Sequence, residues 1–371
     1  MLDPIVQFFS MLLHKLGLAI GWVLAALLWP FSAFAAWVRK RGFVIKGLVS
    51  LAVIGVVLSY GYLFYKTQIW HGFDPQYSAK YDFTKRNASA GSSMEGTGEA
   101  GAKTCTPSAI VTVTRDLIDM NVNQNSWVPS MLLSKLGFFG MGWKYTPYFD
   151  NKAAFQLGVQ NAVQRTSSEL MDTLGRVRGT SQLDQNLQIA RQNAYYPEAL
   201  WYLDGFKPTR PTQAKYRESI PALDAFNDRL KGCDATFDPR ADNLITFLDR
   251  ISKDIGSTSD ILRERAEAYN SGWFDTRADD RFWFTYGQLY AYSGIMAAAR
   301  ADFSDVVKTR QLDALWDRAQ LQFEQALQVQ PFVISNGNEG GWIMPTHLAT
   351  AGFYILRVRS NLVEIRDTLA R

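Results

Sequence analysis

Two stretches near the start of the chain carry no charged residue, and most of the remaining chain alternates apolar and polar positions at helical spacing. The uncharged stretches are residues 16–38 and 47–65. A helix that crosses the hydrocarbon core of a bilayer needs about 20 such residues. Residues 43–65 are therefore read as a transmembrane helix. That segment is rich in Val, Leu and Ile and runs into Tyr60, Tyr62, Tyr65 and Trp70, an aromatic belt of the kind found at membrane interfaces. The first stretch contains Pro30, which predicts a kink, and Trp22, Trp29 and Trp37, spaced like interface residues. Residues 16–38 are read as a second crossing or an interfacial segment. Ala33-Phe34-Ala35 resembles a signal-peptide cleavage site, but the basic run just after it and the missing basic N-terminal region argue against one.

Beyond residue 105 the pattern predicts helix after helix. Ile110, Val113, Thr114, Leu117, Ile118 and Asn121 share one face. Phe155, Val159, Val163 and Leu170 form a stripe over 151–175, with Asp150 placed as an N-cap. Leu183, Leu187 and Ala190 start a helix that Tyr195-Tyr196-Pro197 ends, because a residue before proline resists the helical region. Further helices are predicted over 212–231, 239–254, 259–270, 278–300, 305–329 and 345–369. Gly232, Gly256 and Gly272 punctuate them, and Pro239, Pro331 and Pro345 sit at their edges. No stretch reads as a convincing sheet. Residues 86–104 are rich in Gly, Ala and Ser, a composition that cannot bury enough surface to offset ordering. The expected plan is a membrane anchor over 1–65, a stalk and flexible linker over 66–104, and a mainly α extracytoplasmic domain over 105–371.

Charge sharpens this plan. The 371-residue chain has a formal net charge of +4. All of that excess lies in residues 1–65, where Lys15, Arg39, Lys40, Arg41 and Lys46 oppose only Asp3. The remainder is neutral, so it lacks the basic excess that nucleic-acid binding needs. Basic residues between membrane segments stay on the cytoplasmic side. The following helix then exports everything after it, which in a bacterium means an inner-membrane protein with a periplasmic domain. Cys105 and Cys233 both fall in the exported part, where an oxidising compartment favours a disulfide. Two separate buried thiols are the alternative.

Chemistry is sparse. Three histidines and two cysteines offer no zinc or iron–sulfur pattern, and no nucleotide, hydrolase or metalloprotease motif occurs. No cofactor or metal is expected. His347, just after Pro345-Thr346, reads as a capping or packed residue. Two loops mix aromatics with carboxylates and amides: 270–284, with Trp273, Asp275 and Asp279, and 335–342, with Asn338, Glu339 and Trp342. Such side chains suit sugars, and Glu339 paired with Asp275 or Asp279 is the arrangement glycoside hydrolysis would need. Tryptophans in a helical protein are also ordinary core anchors. Arg176 and Arg178 form a third candidate, for an anion or a partner carboxylate; near a helix end they also complement its dipole.

The anchor at 43–65, Trp127-Val128-Pro129, Asp150-Asn151 with Phe155-Gln156-Leu157-Gly158-Val159, and Leu174-Gly175-Arg176-Val177-Arg178-Gly179 together resemble a family of uncharacterised bacterial inner-membrane proteins. The resemblance spans nearly the whole chain and implies an envelope location without implying an activity. The expected function is a membrane-anchored periplasmic interaction or scaffold protein, more in keeping with no catalysis than with an enzyme. Its expected partners are the membrane and an envelope protein. Peptidoglycan binding or hydrolysis through the two loops is the alternative.

Overall fold

The computed structural model describes residues 3–83, 86–94, 104–137, 140, 142–146, 148–177, 182–269, 275–338 and 344–371. Two compact units divide the chain, Met1–Tyr62 and Leu63–Arg371.

The first unit holds α1 (Asp3–Arg39) and most of α2 (Phe43–Gln68). Both helices are long and apolar enough to cross a membrane. Leu13, Trp22, Trp29, Phe31 and Leu51 are exposed, so the apolar circumference is left uncovered. The helix expected over 16–38 starts much earlier and continues on both sides of Pro30. Asp3 and Lys15 are tolerated because helix formation needs only backbone bonds, whereas hydropathy marks only the uncharged part.

The second unit is helical, with two small two-stranded ribbons. After α2 come α3 (Ala109–Asp119), α4 (Leu132–Leu136), α5 (Asn151–Glu169), α6 (Gln185–Ala194), α7 (Thr212–Lys231), α8 (Ala241–Ala268) and α9 (Ala278–Asp302). The last three are α10 (Ser304–Thr309), α11 (Asp313–Leu327) and α12 (His347–Leu369). Antiparallel pairs β1 (Ser93–Met94) with β2 (Thr104–Cys105), and β3 (Leu203–Asp204) with β4 (Lys207–Pro208), tie down loops. Cys105 and Cys233 are bonded, with Cα atoms 5.3 Å apart.

At the centre is α9, buried on almost every side and packed against α3, α5, α11, α12 and α8. Its middle, Tyr286–Ala299, is mostly aromatic and small apolar residues on every face, which suits a central position. Its closest neighbour is α5, and glycines make the approach: a Cβ on Gly158 would lie 1.9 Å from the Phe284 carbonyl oxygen, and one on Gly287 2.1 Å from that of Phe155. Helix starts obey the local chemistry. Ser108 Oγ accepts from Val111 N (3.2 Å), Asp184 Oδ1 from Asn186 N (2.9 Å) and Thr346 Oγ1 from Ala349 N (3.2 Å). The start of α3 gains a second cap from afar. Asp302, fully buried at the end of α9, accepts from Ser108 Oγ (2.6 Å), Ala109 N (2.7 Å), Ile110 N (2.9 Å) and Arg86 Nη1 (2.9 Å).

Four expectations need correction. Gly256 does not separate two helices; α8 runs through it. The Arg359 guanidinium lies where a side chain would stand, with Nε 3.1 Å from the Cβ position, so the packing of α12 uses the missing side chain. The helix expected over 305–329 breaks into α10 and α11 at Gln311, whose φ is 54°. That turn lets Val307 and Leu312 both reach the core. The segment 66–94, expected as stalk and linker, packs on the helical core through Trp70, Phe73, Tyr77, Ser89 and Ala90. Tyr77 stacks on Tyr290 (4.3 Å) and donates to its carbonyl (3.0 Å), Phe73 stacks on the same ring (5.6 Å), and Ala90 N donates to Asp302 O (3.0 Å). Large aromatics bury enough area to order a segment whose small residues could not. Residues 95–103 of the expected linker lie outside the described residues. Finally, Asp150 precedes α5 as expected but its side chain makes no cap bond; its carboxylate turns inward instead.

Candidate functional site

The carboxylates are the most unusual chemistry in the second unit. Asp150, before α5, is 7% exposed, and neither carboxylate oxygen has a hydrogen-bond donor. Burial, then the negative charges of Asp280 and Asp279 in the first turn of α9, push its carboxyl up to about 9. Asp279 is pushed up to about 7, by burial first and Asp280 second. With the Asn151 amide oriented to satisfy both neighbours, its Nδ2 donates to Asp279 Oδ2 (3.2 Å) and its Oδ1 accepts from Trp283 Nε1 (3.2 Å). Burial and like charge therefore both favour the protonated form in this cluster. A cleft of about 460 Å³ lies beside it, walled by Lys135, Trp143, Leu157, Asp280, Arg281 and Phe284. Asp150 lines that cleft together with Asp280, although its own oxygens expose almost no surface. No three of His, Cys, Asp and Glu converge to hold a metal among the described residues.

Beside this cluster, Lys152 Nζ donates to the carbonyls of Lys66 (3.0 Å) and Ile69 (2.6 Å), closing the C-terminal end of α2. Burial, aided by Lys66, pushes its ammonium down to about 8. Asp254 on α8 is another carboxylate largely withdrawn from solvent. It accepts from Tyr292 Oη (2.5 Å) and Gln288 Nε2 (2.9 Å), with Arg165 3.8 Å away, and so ties α8 to α9 and α5.

The residues singled out from the sequence fall in several places. Trp273, Arg178, Glu339 and Trp342 lie outside the described residues. Asp275 and Asn336 bring the two aromatic–acidic loops together: Asn336 Nδ2 donates to Asp275 Oδ2 (2.9 Å) and to the carbonyls of Arg265 (3.2 Å) and Tyr269 (3.0 Å). Asp275 is gripped through both oxygens by Arg265, which stacks on Tyr269 at 3.5 Å. That carboxylate is occupied in holding the loop to the end of α8. Asn338 is exposed. Arg176 Nε donates to the Asp172 carbonyl (2.9 Å) and so completes the π turn that ends α5. His347 Nδ1 accepts from Ser335 N (3.0 Å), while Ser335 Oγ donates to the Pro345 carbonyl (2.6 Å). Ser335 Oγ also lies 3.1 Å from His347 Nδ1.

Asp150 and Asp280 were not among the sequence candidates. The adjacent acids 279–280 are visible in the chain, but Asp150 joins them only through the packing of α5 on α9. The spacing of 150 and 279 carries no signal of contact.

Residues 128–271 match the model of a family described as uncharacterised proteins conserved in bacteria, DUF2333. The match runs from just before α4 to just past α8 and contains the segments at 150–159 and 174–179; Trp127 falls one residue outside it. No curated protein and no solved structure matches the chain.

Proposed function

We propose that the chain is a membrane-anchored protein of the bacterial envelope whose helical unit works outside the cytoplasm as an interaction or scaffold module. The observation that carries this reading is the apolar helix pair joined by Arg39, Lys40 and Arg41. With that basic turn in the cytoplasm, α2 delivers Leu63–Arg371 to the far side. The Cys105–Cys233 bond supports an oxidising compartment. Asp275, held by Arg265 and Asn336, is occupied in fixing its loop, which fits a structural role for that residue.

Two experiments test this. A reporter that is active only outside the cytoplasm, fused after Arg371, gives signal; signal instead from a cytoplasm-only reporter overturns the orientation. In-cell crosslinking of the full-length chain captures a recurrent partner at near-stoichiometric yield. Reproducible turnover by the purified protein counts against the scaffold role.

One observation favours a second reading. The meeting of Asn336 with Asp275 brings together the two loops read as sugar-directed. On that reading the protein sediments with cell-wall sacculi, and Trp342→Ala abolishes sedimentation without unfolding it.

A further inference from the structure

The last turns of α2 do not stand clear of the helical unit. Leu63 is 1% exposed and Thr67 2%, one turn apart on one face. Gln68 Nε2 donates to the Tyr148 carbonyl (3.0 Å), and the Phe64 ring sits 6.1 Å from that of Phe149. Leu63–Tyr65 are also the final residues of the uncharged run 47–65. With α2 as the membrane span, residues packed against them fall near its headgroup end.

Large apolar side chains spread outward from this point. Tyr148 touches Phe332 (5.8 Å), which is 88% exposed and followed by exposed Val333. Phe149 touches Trp143 (4.6 Å), whose Nε1 donates to the Leu133 carbonyl (2.8 Å) in α4. That short helix presents Leu132 and Leu136, four residues apart on one face, to the outside. Lys135 on the same short helix is exposed, and so is Tyr145, two residues after Trp143. A water-facing surface rarely gathers so many. Tyrosines with a wet tip, apolar residues beneath and a lysine able to snorkel are what a bilayer interface selects.

We propose that Leu132, Leu136, Tyr145, Tyr148, Phe332 and Val333 form a seat that inserts into the phospholipid interface around α2. The seat rests on the membrane reading of α2 and extends it. The helical unit is held at the membrane by an apolar footprint as well as by its tether.

Depth-dependent quenching tests this on the full-length chain. The protein is placed in nanodiscs of phosphatidylethanolamine and phosphatidylglycerol containing a lipid with a shallow nitroxide. Single labels go on Leu136→Cys and Phe332→Cys in the seat, Leu58→Cys in the span and Lys231→Cys at the exposed end of α7; the natural disulfide is left intact. The seat labels and Leu58→Cys are expected to be quenched at least about threefold more than Lys231→Cys, since interfacial residues lie within about 5–10 Å of the headgroup boundary. Quenching at Leu58→Cys with the seat labels at the Lys231→Cys level overturns the seat and leaves the anchor standing. No quenching at Leu58→Cys overturns the anchor and the seat with it. The four substituted side chains are exposed, so none is expected to unfold the protein.

Discussion

Asp150 shows how a single residue takes its role from the fold. In the unfolded chain its carboxyl ionises near the ordinary 3.8; buried beside Asp280 and Asp279 it keeps its proton up to about 9. Between those values the unfolded chain binds fewer protons than the folded one, so stability falls as pH rises. Asp279 acts in the same direction up to about 7. Asp150→Asn keeps the shape and removes the charge. It is expected to raise stability at pH 8, because folding of the variant no longer has to take up a proton at this position. The gain should vanish below about pH 4, where both side chains are neutral. Urea unfolding across a pH series checks this; identical pH dependence in the two proteins refutes it. Some slope should persist in the variant, because Asp279 still titrates.

At the scale of elements, the crossing of α5 and α9 organises the helical unit. Gly158 and Gly287 bring backbone against backbone, and the atoms a new side chain would strike are carbonyls that cannot swing away. Gly287→Ala is therefore expected to destabilise by roughly 1–3 kcal/mol or more, although alanine is the better helix former. Gly352 on α12 supplies the contrast, since nothing lies within 4 Å of its Cβ position. Gly352→Ala should stabilise by roughly 0.5–1 kcal/mol. Denaturation of both variants decides whether close approach or propensity governs each site. Equal effects of the same sign would remove the packing argument. The same reasoning explains why Gly256 reads as a break and proves to be a place where Arg359 lies across α8. A glycine in sequence marks permission; only the neighbouring element says what it permits.

For the molecule as a whole, the disulfide joins β2 to the turn after α7 across 128 residues of chain. In the chain-entropy model a loop of that length stabilises by roughly 4–5 kcal/mol. Replacing both cysteines by serine should lower the urea midpoint accordingly. Reductant should do the same to the native chain and nothing to the variant. Protein taken from membranes under thiol-blocking conditions should carry no blocked cysteine. A fully blocked sample would contradict both the bond and the oxidising compartment.

The chain's own pattern determined the helical class, the apolar helix pair, the position of the basic turn and most helix boundaries. Each of these depends on neighbours within a few residues: uncharged length, 3.6-residue spacing, or a Ser, Asp or Thr at a helix start. The acid pair 279–280 was visible on the same terms. Tertiary structure alone decided that Tyr77, Ser89 and Ala90 are core rather than stalk, that Asp150 faces Asp279 and Asp280, and that Asp302 caps a helix beginning at Ala109. It also decided that Asp275 is consumed by Arg265 and Asn336. These depend on surfaces brought together from over 100 residues apart, or on side chains whose partners arrive from another helix. Periodicity is blind to such contacts, because burial and electrostatics act on distance in space rather than distance along the chain.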